Sequence, residues 1–384
     1  MIKKILPSIL LFHSIIVPPE VNATAFSVLN VAPLADTIPV VAATGNTDSI
    51  KKIRDGKLHF RPVPVVAAAP ETGWRVGVGG LSSFLLSPDS STHYSLISPF
   101  ICYTEDKQDY IYMPFELYTK GNDFYFEGEA DYYNFSYYYW GIGTDRVSQE
   151  LYDVRFPKLF CNAYRKLSTH IYAGLDYYFE DDVISNLNSQ GQLISGDITG
   201  SKGSVNSGLG LCAYYDTRDS VYYPTRGWYI KATSYLNNSV LGSTCDYSKV
   251  TADICWYKQV ASPVVLAFDE HTVYTSGNVP FNQMALVGGP YDMRGYYLGY
   301  YRDNSFTMFQ AEARIHLFWR IGFDAFAGLG CMGNEHLFPE APGAIYAEGV
   351  GLRYNYDKRQ HVNVRLDVGY GQTAEIYLEV LEAF

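Results

Sequence analysis

The sequence has no apolar run that could cross a membrane as a helix, although 47% of its 384 residues are hydrophobic. A membrane helix needs about 20 consecutive apolar residues, and here the apolar residues are dispersed. Aromatic residues are plentiful instead, with 35 tyrosines, 21 phenylalanines and 5 tryptophans. Because tyrosine suits surfaces that meet both hydrocarbon and water, this composition predicts a β-protein, either a soluble sandwich or a membrane barrel.

Positive charge and clustered cysteines are also scarce. The formal net charge is −11, and phosphate binding needs a basic surface, so we expect no nucleic-acid partner. The cysteines are widely spaced and form no C-x-x-C pair. We interpret them as small buried or lipid-facing residues, and one disulfide remains open in an oxidising compartment. They are Cys102, Cys161, Cys212, Cys245, Cys255 and Cys331.

Enzyme and cofactor motifs are missing as well. The chain contains no G-x-S-x-G and no H-E-x-x-H, and its 8 histidines are scattered. Residues 328–333 match G-x-G-x-x-G, but a nucleotide site of this type needs a following helix, and none is predicted. We therefore predict no catalytic residues, no cofactor and no metal site. One acidic set could bind a cation, but we interpret it as part of a polar wall: Asp123, Glu127, Glu129 and Asp131.

The first 25 residues are typical of a cleavable export signal. Lys3 and Lys4 precede the mostly apolar run 5–17, and residues 23–25 (Ala-Thr-Ala) offer a small-x-small cleavage site. The sequence thus predicts a signal peptide over 1–25. Residues 26–56 are rich in Ala, Val, Thr and Pro without clear periodicity, and are predicted to form a flexible periplasmic leader.

From residue 57 onward, apolar and polar residues alternate in segments of about ten residues. In one segment, Phe309 and Ala311 share a face, while Gln310 and Glu312 share the other. The polar faces mix charge with glycine, as the inside of a membrane barrel requires, and the apolar faces would contact lipid. Hydrocarbon also demands a closed barrel, because an open edge leaves backbone groups unpaired. The predicted fold class is therefore all-β, a transmembrane antiparallel barrel.

The pattern predicts about 16 strands over residues 57–384. The connections after odd-numbered strands include the long ones, which suit external loops, and the others are mostly short, as periplasmic turns are. Both chain ends are then expected in the periplasm of an outer membrane. The long connections are 134–148, 182–202, 277–304 and 334–344. The strands are predicted near 58–69, 73–86, 93–104, 107–119, 122–133, 149–164, 168–181, 203–216, 226–237, 245–258, 263–276, 305–317, 319–333, 345–356, 361–371 and 374–384.

The last residue, Phe384, closes an alternating strand. A terminal aromatic in that position resembles the recognition signal of bacterial barrel proteins. We therefore predict that Phe384 is a C-terminal assembly signal and that the barrel-assembly machinery is a partner during insertion.

One motif combines Asp216, Arg218 and Asp219 with Pro224 and Gly227. Aspartate and threonine cap such a segment locally, proline fixes φ, and glycine permits the exit into the next strand. The motif therefore predicts a tight periplasmic turn with Asp–Arg pairing.

A second motif, Met293-Arg294-Gly295-Tyr296, lies in the long connection before the predicted strand 12, which carries Glu312. The two motifs, in this order and at these strands, resemble the BamA/TamA-type superfamily of bacterial surface antigens over roughly residues 57–384. That superfamily has a D-x-R-D…P-T-x-G turn and a V-R-G-F/Y tip on its sixth outer loop. The resemblance implies a long loop that folds inward and plugs the barrel.

The resemblance also implies partners for Arg294. In the family, this arginine pairs with a glutamate on the next strand, where Glu312 stands, and with an aspartate on the strand after it. Here Gly328 occupies that aspartate position. Asp324 shares the same face four residues earlier, and we expect it to substitute.

The resemblance implies a function in membrane transport or in the insertion of proteins or lipids. Family members carry periplasmic polypeptide-transport-associated domains, whereas about thirty residues separate the predicted signal from the first strand, too few for a domain. We therefore expect a barrel-only member, in contact with outer-membrane lipids and with an unknown client or solute. A passive porin on the same scaffold is the alternative, and an outer-membrane enzyme is a third hypothesis.

Overall fold

The computed structural model describes residues 59–69, 73–87, 89, 92–105, 107–143, 147–333, 344–358, 361–380 and 382–384. The predicted signal peptide (1–25) and leader (26–56) lie outside the described residues. None of the helices in the described part of the chain has the length and apolar character needed to span a membrane.

The described residues form 20 strand segments, and the ladders among them are antiparallel. Their bounds are β1 His59–Ala69, β2 Gly73–Phe84, β3 Ser95–Ile97, β4 Phe100–Thr104, β5 Asp109–Tyr112, β6 Pro114–Tyr118, β7 Phe124–Tyr139, β8 Glu150–Lys166, β9 Ile171–Ser185, β10 Ser204–Asp216, β11 Arg226–Asn237, β12 Tyr247–Ala261, β13 Val264–Gly277, β14 Ala285–Val287, β15 Tyr301–Asp303, β16 Ser305–Phe318, β17 Ile321–Gly333, β18 Ile345–Asp357, β19 Val362–Tyr370 and β20 Ala374–Val380.

These segments assemble into a barrel of sixteen membrane strands. β3 and β4 are two parts of one strand, and β5 and β6 are two parts of the next, because short irregularities interrupt both. β14 and β15 form a separate two-stranded sheet inside the long loop, and β15 also bridges to Gly143, so these two segments do not belong to the wall. Each remaining strand pairs with the next wall strand along the chain, from β1 to β20. The predicted fold class, with β16 as the twelfth wall strand, is confirmed.

Burial alternates along the wall strands as the sequence predicts. On β16, Gln310, Glu312 and Arg314 are buried, whereas Phe309, next to Gln310, is 52% exposed. Exposed large apolar side chains of this kind recur on nearly every wall strand outside the masked residues. One face of the sheet therefore meets lipid, and the buried face lines a polar lumen.

Most strand ends lie within a few residues of the predicted bounds, and two of the differences affect the site. β7 continues to Tyr139, six residues beyond the predicted end, because aromatic residues at alternate positions extend the ladder with β8. The last strand ends at Val380, not at Phe384. Residues 382–384 leave the wall, and Glu382 and Ala383 are buried.

The long loops pack together at one end of the barrel. The Phe281 N–H donates to the Thr199 carbonyl at 2.9 Å, and the Thr199 hydroxyl donates to Asn278 Oδ1 at 2.8 Å. Leu193, at 1% exposure, and Phe281 share an apolar cluster with side chains of β7 and β8. The connections 186–203 and 278–304 thus form a cap over this end.

Candidate functional site: the lumen loop and its ion-pair network

The loop between β13 and β16 turns back into the lumen. Left-handed backbone at Met293 (φ 55°) and Gly295 (φ 119°) produces the bend at its tip. The Gly295 N–H donates to the Tyr377 hydroxyl at 2.8 Å, and a Cβ at Gly295 would approach the β19 backbone at Tyr370 to 2.5 Å. Glycine is therefore required there for both its φ and this close approach.

Arg294 lies at the centre of the tip, and its side chain is 0% exposed. Its Nη2 donates to Glu312 Oε2 on β16 at 2.6 Å, and its Nη1 donates to Asp367 Oδ2 on β19 at 2.6 Å. The guanidinium also stacks over the Phe326 ring, 3.5 Å from its centroid. One arginine therefore ties the loop to separate strands of the wall through charge-assisted hydrogen bonds.

The second carboxylate partner differs from the one expected. Asp367 takes that place, and Asp324 instead accepts a hydrogen bond from Arg353 at 2.6 Å. Gly328, at the position where an aspartate was expected, leaves room for Met293, since a Cβ there would be 3.0 Å from Sδ. The second carboxylate partner of Arg294 therefore lies on β19, and not on β17 as the resemblance implied.

Arg294 belongs to a larger buried network. Arg314 donates to Glu312 at 2.8 Å, Arg365 donates to Asp367 at 2.7 Å, and Arg353 also contacts Asp367. Arg353 and Asn363 bind Glu382, both at 2.7 Å. The network balances four arginines against four carboxylates: Arg294, Arg314, Arg353 and Arg365 with Glu312, Asp324, Asp367 and Glu382. Removing one partner leaves an uncompensated buried charge, which costs about 3–5 kcal/mol.

The other side of the loop tip is apolar. Met293 is fully buried and Tyr296 is 8% exposed, and both belong to an apolar cluster with Phe306 and Met308 of β16 and Ile345 of β18. The Tyr296 hydroxyl donates to the Tyr346 carbonyl at 3.0 Å. The motif Met293-Arg294-Gly295-Tyr296 is thus built into the lumen by ionic contacts on one side and apolar packing on the other.

The turn motif forms a closed structure between β10 and β11. Asp216 accepts from Arg218 Nη2 at 2.7 Å, and Arg218 stacks 4.2 Å from the centre of the Tyr229 ring. Asp219 accepts from the Thr225 N–H at 2.9 Å and from the Arg226 N–H at 3.2 Å. Partial burial raises the pKa of Asp219, but these N–H donors and the Thr225 hydroxyl outweigh it and lower that pKa overall.

Pro224 and Gly227 shape the exit of this turn. Pro224 is buried, and Gly227 has φ 111° and would place a Cβ 2.3 Å from the Thr217 carbonyl. The neighbouring Tyr223 ring lies 6.0 Å from the Arg314 guanidinium. The turn therefore reaches the ion-pair network, a contact that its sequence does not indicate.

Phe384 also reaches the network. Its carbonyl accepts from Arg314 Nη2 at 2.6 Å, and its ring lies 5.4 Å from the same guanidinium. It packs against a cluster of Cys255, Tyr257 and Ala267 on the buried face. The structure therefore places Phe384 in the lumen, at the short-turn end, and not on the lipid-facing side of β20.

A second arginine of the same loop, Arg302, was not singled out from the sequence. It is 2% exposed and donates to the carbonyls of Phe281 (3.3 Å), Tyr138 (3.2 Å) and Gly299 (3.3 Å). It also lies 5.0 Å from the centre of the Tyr139 ring. Arg302 thus attaches the last part of the loop to the cap. A search of the sequence for carboxylate partners could not identify this residue, because its acceptors are backbone carbonyls.

Comparisons with solved structures give the same barrel. The chain is similar to BamA from Haemophilus ducreyi lacking POTRA domains 1-3, with a TM-score of 0.58 and 13% identity over 84% of this chain and 69% of that chain. It is also similar to CdiB from Acinetobacter baumannii (TM-score 0.52, 10% identity, 84% and 63% of the two chains). CdiB from Escherichia coli gives a TM-score of 0.52 at 11% identity, over 85% and 66%. At these identities the likeness shows the fold.

Sequence comparison identifies the family. None of the curated protein sequences compared with this chain matches it. The family model described as the Omp85 superfamily domain matches residues 117–358, more than half of the chain. These residues include the turn motif, the lumen loop and the Glu312 strand, so the resemblance predicted from the two motifs is confirmed. The chain belongs to the Omp85 superfamily and is an outer-membrane β-barrel.

Proposed function

We propose that this protein moves polypeptides or lipids into or across the outer membrane through a barrel that its own loop holds shut. The observation that carries the proposal is the full burial of Arg294 between Glu312 and Asp367. A guanidinium bound to two strands of the wall fixes the loop inside the lumen, and passage of a solute or client then requires its displacement.

Both ends of the lumen support this proposal. Cap loops cover one end, where Phe281 and Arg302 are buried. At the other end, Tyr223 and Phe384 lie beside Arg314. A passive porin needs a continuous aqueous path, so these obstructions favour a gated machine. We assign the long-loop end of the barrel to the outside of the cell. We expect outer-membrane lipids and the assembly machinery as partners of this protein, and we expect no catalytic role for it.

Planar-bilayer recording distinguishes the two hypotheses. We expect the wild-type barrel to be silent or to flicker rarely, and the Arg294→Ala variant to conduct in longer steps. Stable, large conductance of the wild type would favour a porin.

A second experiment addresses the cargo. Depletion of the protein in its host, followed by comparison of the outer-membrane and released proteins, should change the level of specific polypeptides or lipids. An unchanged inventory with reduced uptake of a small solute would contradict the proposal.

A further inference from the structure

The hairpin of β12 and β13 places four ligand-type side chains at neighbouring positions on the lumen face, and the ligand atoms of three of them lie close together. Asp253 and Cys255 alternate on β12, and Asp269 and His271 alternate on β13. The register pairs Asp253 with His271 and Cys255 with Asp269. Because side chains two apart on a strand share a face, D-x-C and D-x-H on adjacent strands form one compact block.

The distances within this block suit a tetrahedral metal ion. Cys255 Sγ lies 3.3 Å from Asp253 Oδ1 and 3.6 Å from Asp269 Oδ1. One ligand atom from each of these residues lies within 4.8 Å of the others. Zinc bonds of about 2.3 Å to sulfur and about 2.1 Å to oxygen give a sulfur–oxygen edge of roughly 3.6 Å in a tetrahedron.

The block also lacks the positive charge that neutralises other buried carboxylates. Glu127 pairs with Lys231, and Glu129 pairs with Lys158. Within the described residues, no lysine or arginine forms an ion pair with Asp253 or Asp269, nor with Asp292 of the lumen loop. Asp269 interacts electrostatically with Asp253 and Asp292, and Asp292 interacts in the same way with His271. A bound cation would balance the charge that the single imidazole of His271 leaves on these three carboxylates, since buried charges are usually paired or coordinate a metal.

A further polar group points to a missing ligand. The Tyr257 hydroxyl follows Cys255 on the same face of β12, and the residue is 2% exposed. The hydroxyl lies against the Cys255 thiol, and no described residue meets it with full hydrogen-bond geometry. A buried hydroxyl is rarely left unpaired, and a metal-bound water or the ion itself would satisfy it.

We propose that Asp253, Cys255 and Asp269 bind a zinc ion, with His271 or Asp292 in the fourth position. The thiol gives up its proton to water and binds the metal as thiolate. A thiolate favours zinc over the hard cations calcium and magnesium. With Asp292 as the fourth ligand, the ion would join the lumen loop to the wall immediately beside Arg294. This metal site is independent of the proposed transport function.

The test uses the full chain without a histidine tag, folded in detergent and stripped with a chelator. After equilibration with zinc and removal of the excess, metal analysis should find one zinc ion per chain. Cys255→Ser and Asp269→Asn should lose the ion. Each should lower the affinity for zinc by more than the roughly 10- to 100-fold that is typical when a residue that only hydrogen-bonds to a metal ligand is replaced. Cys212→Ser is the matched control, since Cys212 is equally buried on the lumen face, and it should keep the ion.

Cobalt provides a readout that does not depend on the folding of a variant. Cobalt added to the stripped wild type should produce a thiolate-to-metal charge-transfer band in the near ultraviolet. Comparing His271→Ala with Asp292→Asn identifies the fourth ligand. Absence of both zinc and the cobalt band in the wild type, or equal zinc in wild type and Cys255→Ser, would overturn the proposal. Neither result depends on conductance, so the failure of one proposal can be told from the failure of the other.

Discussion

Replacing Arg294 with alanine removes the contacts that hold the loop tip in the lumen. Its guanidinium makes two hydrogen bonds of 2.6 Å to carboxylates and lies 3.5 Å from the centre of the Phe326 ring. Arg294→Lys keeps the charge, but an ammonium lacks the planar fork that bridges two acceptors and stacks on a ring. We therefore expect the lysine variant to fall between wild type and alanine, closer to alanine.

The size of the effect follows from burial. Breaking a buried ion pair by removing one partner costs about 3–5 kcal/mol. Since each 1.4 kcal/mol is about a factor of ten, the displaced state of the loop should gain roughly 10²- to 4 × 10³-fold in relative population. The neighbouring Arg314 and Arg353 can neutralise part of the negative charge that Glu312 and Asp367 keep when Arg294 is removed, so we expect the lower end of that range.

Single-channel recording and heat modifiability measure the two consequences, which are a higher open fraction and a lower unfolding temperature. Arg226→Ala is the matched control, because Arg226 is an arginine whose side chain is 81% exposed. A double-mutant cycle with Asp367→Asn should give a coupling free energy of about 0.5–3 kcal/mol, and so should a cycle with Glu312→Gln.

Purely additive effects in both cycles would refute the reasoning, because residues that meet in one network cannot act independently. The same holds if Arg294→Ala and Arg226→Ala leave conductance and heat stability equally unchanged.

Four further predictions concern other parts of the barrel. Arg302→Ala should make the loop 278–304 sensitive to added protease, since three carbonyls lose their donor, while Arg226→Ala should not. Deleting Phe384 should lower the yield of heat-modifiable barrel without affecting export; normal assembly would argue against an assembly signal. An epitope inserted at the exposed Gln190, away from the buried Leu193, should be labelled on intact cells, and labelling only after permeabilisation would invert the topology. Folding lowers the pKa of Asp219, so the ionised side chain should stabilise the folded protein fully above about pH 4 and lose this effect as the pH falls through the folded-state pKa. The difference in stability between wild type and Asp219→Asn should therefore shrink in acid.

Several elements of the site could be predicted because their signals are local. The alternation around Glu312 fixes which side chains face the lumen, and the glycines beside Arg294 mark a sharp bend. The partner Asp367 could not be chosen in this way, since it lies 73 residues from Arg294. Whether it or Asp324 meets the loop depends on the stagger of four strands and on the depth of the loop. The zinc block was likewise missed, because its D-x-C and D-x-H pairs acquire meaning only when the hairpin register is known.

The sequence by itself determined the barrel, its approximate strand number and the inward face of each strand, because a period of two is a property of a few consecutive residues. Only the tertiary structure decided where the chain leaves that pattern. It turned residues 382–384 away from the wall, brought Tyr223 and Phe384 to Arg314, and assigned Asp324 to Arg353. These contacts join distant segments across a lumen, where charge balance and available space, rather than local alternation, select the partner.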